Sequence, residues 1–301
     1  MLQLSNTTSY AARLLVLPNI DGEEAAVLIV QGTFELTSGR QAEIQRPLVE
    51  ADVYVEPKNP TILQAASDIT LAKPATDVLL EGVAYAPLGR AMPTFEASFV
   101  VGSIQKTVRI VGARKWHRTW VGIRLTVPEP VRAVPLSWTE ALGQGAPPRL
   151  EHPVRPILRR KRQPLPWGGC GPIPPSWSPR REFAGTYDAT WQRQRAPFVP
   201  SDFSPRFFQT APSDQISTYH LQGGEPISLI NCRQNGDVRT TVPQAAPRVI
   251  FKLHGSEQRP PLQLDTIRIF PDADVLSLVW RVVLPLGRRV LALRQVEVSY
   301  G

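Results

Sequence analysis

Short apolar runs recur along the chain and are broken by Gly, Pro, Asn and Asp. "RLLVLPN" leads into "DGEEAAVLIVQGTFEL", and Asn19–Gly22 between them reads as the turn of two strands. "DVLLEGVAYAP" and "FEASFVVGSIQKTVRIVG" have the same style. In "KTVRIVG", Val108 and Ile110 alternate with Thr107, Arg109 and Val111, the period of a half-buried strand. "TWVGIRLTVPEP" continues as a strand that stops at proline. Near the end, Ile267 and Ile269 alternate with Arg268 and Phe270, and Leu276, Leu278 and Trp280 answer them across "PDAD" (Pro271 to Asp274). That spacing predicts an antiparallel hairpin with one face in the core.

The middle of the chain breaks this style. Residues 143–169, "GQGAPPRLEHPVRPILRRKRQPLPWGG", have no period, so they read as an extended, solvated connection whose run Arg159, Arg160, Lys161, Arg162 repels itself. Then "AGTYDATWQRQRAPFVPSDF" crowds rings, arginines and prolines into Ala184–Phe203. Thr186 or Asp188 can cap a short helix there. Tyr187, Trp191 and Arg195 would share one side of it, and Pro197 would end it. A helix of about two turns does not stand alone in water, so its rings must anchor it. Most of them then hold irregular backbone against a β core, while some are free to line a partner groove, because Trp, Tyr and Arg dominate binding hot spots.

The expected fold is mainly β. We read two packed antiparallel subdomains, sandwich or barrel-like, over residues 1–142 and 216–301, bridged by a proline-rich middle, 143–215, that contains the short helix; together they form one integrated unit. Proline supports this: 31 in 301 residues is about twice the usual share and disfavours helix throughout. The charge is polarised. Residues 1–100 carry 6 Lys/Arg against 12 Asp/Glu, a net −6, whereas residues 149–195 carry 10 against 3, a net +7. Such an asymmetry steers a charged partner toward one face.

Candidate chemistry adds little. The phosphate-loop, H-E-x-x-H, G-x-S-x-G and C-x-x-C patterns do not occur, and four scattered histidines share no ligand spacing with Cys170 and Cys232. No cofactor, no metal and no enzymatic activity are therefore expected. Two cysteines fit a reducing cytoplasm better than a disulfide framework. The opening residues do not read as a signal peptide, and no apolar run is long enough to span a bilayer, so no membrane insertion is expected. The first alternative to a protein partner is single-stranded nucleic acid, gripped by the basic, aromatic middle, and behind it stands an enzyme whose catalytic groups come together from distant parts of the chain. Glu182 and Asp188 inside that cluster, and the acidic first hundred residues, weigh against nucleic acid.

Five segments carry a resemblance, in this order: "KPATDVLLEGVAYAP" (Lys73 to Pro87), "GPIPPSWSPRREFAGTYDATWQRQRAPFVPSDFSPRFF" (Gly171 to Phe208), "APSDQ" (Ala211 to Gln215), "LQGGEPI" (Leu221 to Ile227) and "LVWR" (Leu278 to Arg281). Together the chain resembles a bacterial domain-of-unknown-function family encoded in type VI secretion clusters. Its members are adaptors or chaperones that help load a toxic effector onto the VgrG spike. The resemblance implies a cytoplasmic adaptor whose partners are a cognate secreted effector and the VgrG spike. It points to Trp177, Arg180, Arg181, Tyr187, Trp191 and Arg195 as motif positions for partner binding, with Arg159 to Arg162 as an electrostatic guide. The chain departs from relatives in the compressed, basic segment before the central motif, where partner specificity would differ.

Overall fold

Glu24–Glu35 and Val275–Pro285 pair antiparallel along their whole length, from Glu35 opposite Val275 to Ala25 opposite Pro285. Ten consecutive residues of the first strand are buried. That is why "AAVLIV" reads as a continuous apolar run: a strand covered on both faces has no polar side to alternate with. The computed structural model describes residues 2–58, 61–154 and 168–301. In it these two strands form the middle of a five-stranded sheet, ordered Ala11–Pro18, Glu24–Glu35, Val275–Pro285, Gln263–Phe270, Asp77–Leu80.

A second five-stranded sheet runs Leu150–Glu151, Ile104–Val111, Thr94–Val101, Pro226–Ile230, Val238–Thr241. A third, of four strands, runs Gln3–Asn6, Leu293–Ser299, Arg248–Leu253, Ser256–Gln258. None of these sheets closes into a barrel among the described residues. The protein is mainly β, in packed sheets with few and short helices. Both five-stranded sheets draw strands from either side of residues 143–215, so the thirds of the sequence are not the sheets of the fold. The pairing is also not wholly antiparallel. Gln3–Asn6 runs parallel to Leu293–Ser299, and Asp77–Leu80 runs parallel to Gln263–Phe270.

Both predicted turns are present. Ala11–Pro18 and Glu24–Glu35 pair antiparallel across Asn19–Gly22, where the Asn19 side-chain oxygen accepts from the amides of Asp21 and Glu23. The Pro271–Asp274 reversal sets Ile269 opposite Leu276 and Ile267 opposite Leu278, with Asp274 left-handed at its end. One continuous core runs between the sheets, and alternation places Leu28 and Val30 in it. Val27, Ile29 and Val279 face the other way and pack beneath Leu48, Ile69 and Leu71 of a strap that crosses the back of the central sheet.

The strand Asp77–Leu80 would leave an open edge, a template for unwanted pairing. Its outer side is closed instead. Gln215 Nε2 donates to the Val78 carbonyl at 2.7 Å, and the Leu80 amide donates to Cys170 O at 3.2 Å.

Candidate interaction surface

The motif segments converge on buried polar contacts. Lys73 Nζ reaches Asp77 Oδ2 at 2.8 Å and Thr266 Oγ1 at 2.7 Å, and the Thr210 amide donates to the same Asp77 oxygen. Thr266 passes the network on to Asp265, which receives the Arg281 guanidinium; Arg281 also donates to the Thr70 carbonyl. Burial opposes ionisation of Asp265, but Arg281, Lys73 and the hydrogen bonds to its carboxylate outweigh it and hold its pKa below the ordinary value. Lys106 Nζ meets Gln215 Oε1 at 2.7 Å and the Gly169 carbonyl at 2.9 Å. These groups stitch the irregular middle to the two large sheets. None of Lys73, Asp77, Asp265 and Arg281 lines the cavity described below.

The central motif splits into two parts. Trp177 is half buried, its ring edge-on to Trp138 at 5.4 Å, and Trp138 Nε1 donates to Gly171 O. Arg180, expected on the partner face, is only 6% exposed. Its Nε donates to Phe207 O at 2.8 Å and its Nη1 to Ile173 O at 3.0 Å, and the guanidinium lies 5.1 Å from the Phe207 ring. Burial, only partly offset by Asp52, Asp77 and Tyr54, lowers its pKa from the usual arginine value. Trp177 and Arg180 therefore hold the fold together. Arg181 is exposed beside them.

The predicted helix is real but shorter than its ring spacing suggested, Ala189–Gln194. Asp188 caps it, accepting from the amides of Thr190 and Trp191. The cap is extended backbone, so Tyr187 lies outside the helix, and Arg195 leaves it at the other end. Tyr187 and Trp191 nevertheless meet, ring centroids 4.7 Å apart at 67°. Tyr187 is 56% exposed. Arg195 turns away from them: its Nε donates to Val199 O and its Nη2 to Ile20 O, both at 2.9 Å. Phe198 lies against Gly22, where an added Cβ would come within 3.1 Å of the ring, and φ of +86° already requires glycine. Trp191 Nε1 donates to Phe198 O at 2.8 Å. The aromatic pair is thus pinned to the Asn19–Gly22 turn, with Tyr187 outward. Thr186, the alternative cap, instead bonds the Asp202 carboxylate, and those two bonds lower the Asp202 pKa. Arg159, Arg160, Lys161 and Arg162 lie outside the described residues.

Two further features escaped the sequence reading. One is a cavity of about 840 Å³ under the strap, walled mainly by apolar side chains such as Leu48, Val53, Ile62, Leu80 and Leu136, with the buried Ser277 hydroxyl at its wall. The other is a projecting hairpin, Trp116–Thr119 paired with Gly122–Leu125, whose tip carries Trp120 at 97% exposure. The signal was present in "RTWVGIRL", where Gly122 closes a two-residue turn in what looked like one strand.

A family described as "Uncharacterized protein conserved in bacteria (DUF2169)" matches residues 21–147 and 144–281. No curated protein and no solved structure matches the chain. Since the two matched stretches take in most of the sequence, the chain belongs to the DUF2169 family of bacterial proteins.

Proposed function

We propose that the chain is a non-catalytic adaptor that binds a cognate secreted effector and promotes its loading onto the VgrG spike of a type VI secretion system. The observation that carries the binding part is the Tyr187–Trp191 pair. It is an aromatic anchor, open to solvent at Tyr187 and fixed from behind by Asp188, Phe198 and Arg195. A ring already held in one place loses little freedom when a partner covers it, so more of the burial is kept as affinity. The class of cargo comes from the resemblance of the five motif segments to adaptors of that secretion system. The stitched sheets beneath would give the cargo a stiff platform.

The test is made in the native bacterium. Deleting the gene should abolish export of one effector while sheath assembly and export of others continue. Restoring the gene with Tyr187→Ala and Trp191→Ala together should leave the adaptor at normal abundance and fail to restore that export. Unchanged export of every effector from the deletion strain would overturn the adaptor reading. Full rescue by the double variant would overturn the assignment of the surface alone.

A further inference from the structure

The hairpin Trp116–Leu125 has no part in the reading above. Its two strands pair with each other, through Trp116 opposite Leu125, His117 opposite Arg124, Arg118 opposite Ile123 and Thr119 opposite Gly122. The loop between them is Trp120–Val121, with Trp120 97% and Val121 48% exposed. Because opposite residues share a face, Trp116 and Ile123 lie on one side, at 50% and 59% exposure. Lys115, Arg118 and Arg124 flank the tip, and no Asp or Glu occurs between Arg114 and Pro128.

The stem is firmly planted. Thr126 N donates to Lys115 O and Glu129 N to Ala113 O, which extends the ribbon toward the body. Arg114 at its base bonds Glu151 and the Pro148 carbonyl. The cationic, ring-bearing tip is thus the exposed end of a ribbon braced at its base.

We propose that this tip docks the protein on an anionic lipid surface. A convex end built on two four-residue strands offers far less than the roughly 800 Å² per partner of a standard protein interface. A bilayer needs only a shallow apolar wedge reaching about 5–10 Å into the headgroup boundary. Tryptophan suits that depth, since its ring is apolar and its N–H finds partners among headgroups. Arg118 and Arg124 sit two residues from Trp120 and three from Val121 along their strands, close enough to face anionic headgroups inside a Debye length. Each such cation adds to the attraction of an anionic membrane surface. This is contact at one face only: among the described residues no helix is long and apolar enough to cross a membrane.

The experiment is co-sedimentation of the full chain with phosphatidylglycerol/phosphatidylcholine vesicles and with pure phosphatidylcholine vesicles, at low and high salt. Binding is expected to the anionic vesicles alone and to weaken as salt rises. Trp120→Ser should reduce partitioning by about tenfold, and Arg118→Glu with Arg124→Glu by at least about tenfold. Neither should change the melting temperature, because these side chains are outside the core. No binding to anionic vesicles at low salt overturns the proposal. So does binding that Trp120→Ser leaves intact, which would assign it to the Arg159–Arg162 run. Equal binding to neutral vesicles, or Trp120-dependent binding to a single-stranded oligonucleotide without vesicle binding, also overturns it.

Discussion

Lys73 Nζ lies 2.8 Å from Asp77 Oδ2 with both side chains withdrawn from solvent, one just before an edge strand and the other at its first position. The Thr210 amide and the Thr266 hydroxyl complete the contact, so one ion pair joins the edge strand, its neighbour and the proline-rich middle. Removing one partner strands the other charge in the interior, which costs about 3–5 kcal/mol. Lys73→Met and Asp77→Asn should each lower the unfolding free energy measured in urea by an amount in that range. The double change Lys73→Met with Asp77→Asn should cost less than the two single losses together. Additive losses would show that the two charges do not depend on each other.

Asp265 ties acid stability to the same network. Its pKa is held below the ordinary carboxylate value in the folded chain, despite burial, by Arg281, Lys73 and the donors around it. The unfolded chain therefore takes up this proton at higher pH than the folded one. The resulting stability is fully present above the unfolded value of about 3.9 and is lost as pH falls below it toward the folded value. Asp265→Asn should flatten the acid limb of a stability–pH curve while lowering the plateau, as Arg281 loses its counter-charge. An acid limb as steep as in the parent chain would show that other carboxylates set it.

The two thiols give an alkaline counterpart. Both cysteines are free and buried. Burial, opposed by Lys106 and reinforced by Asp214, pushes Cys170 up from 9.0 to about 11, and burial pushes Cys232 higher still. Neither should react with a thiol reagent at pH 8 until the chain is unfolded in urea, when both should titrate. The sign is opposite to that of Asp265. The unfolded thiols ionise first, so their contribution is intact below pH 9 and declines as pH rises through the value for Cys170. Fast modification of either in the native protein would mean that the core around it opens.

Much of the fold was legible because its strongest elements are local. The pairs Ile267–Leu278 and Ile269–Leu276 span a four-residue reversal, so period-2 alternation and Pro271 suffice to place them. The parallel pairing of Asp77–Leu80 with Thr266–Ile269 has no such trace, since its register is fixed across most of the chain by core packing and by Gln215. Polar residues misled in the other direction. Lys73, Asp77 and Arg281 look like solvated charges beside apolar runs, and only the tertiary fold brings their partners to them. Arg180 stood among the motif positions that the resemblance offers for partner binding, yet backbone carbonyls at Ile173 and Phe207 claim it. Trp120 shows the reverse, a large ring in a strand-like run that the turn at Trp120–Val121 turns outward.

The hairpin's placement depends on a backbone crossing that only glycine permits. A Cβ on Gly112 would lie 1.7 Å from Glu129 O, a collision with main chain that no rotamer change relieves. The Gly112 amide also donates to Pro93 O at 2.9 Å, just beyond the strand Ile104–Val111. Gly112→Ala should therefore separate the ribbon's stem from the sheet, lowering stability by about 2 kcal/mol or more. It should also raise hydrogen exchange at Ala113 and Glu129, and leave the amides around Leu28 protected. Unchanged exchange at the stem would mean that this crossing does not hold the ribbon.

Arg180 and Tyr187 stand seven residues apart in one motif and should behave oppositely. Arg180→Ala deletes one buried and one partly buried hydrogen bond and leaves Ile173 O and Phe207 O without those donors. Each orphaned acceptor costs about 1–3 kcal/mol, so the variant should lose folding stability and any binding only in proportion. Tyr187→Ala exposes part of the Trp191 ring but opens no cavity, since the tyrosine is already more than half in water. Its stability should change by less than about 0.5 kcal/mol. If the adaptor surface is as proposed, its affinity for the effector should still fall by about tenfold or more, as for a hot-spot ring. Measuring melting temperature and effector affinity on the same two proteins separates scaffold from surface. A Tyr187→Ala protein that binds like the parent while Arg180→Ala binds poorly at full stability would reverse the assignment of these two side chains.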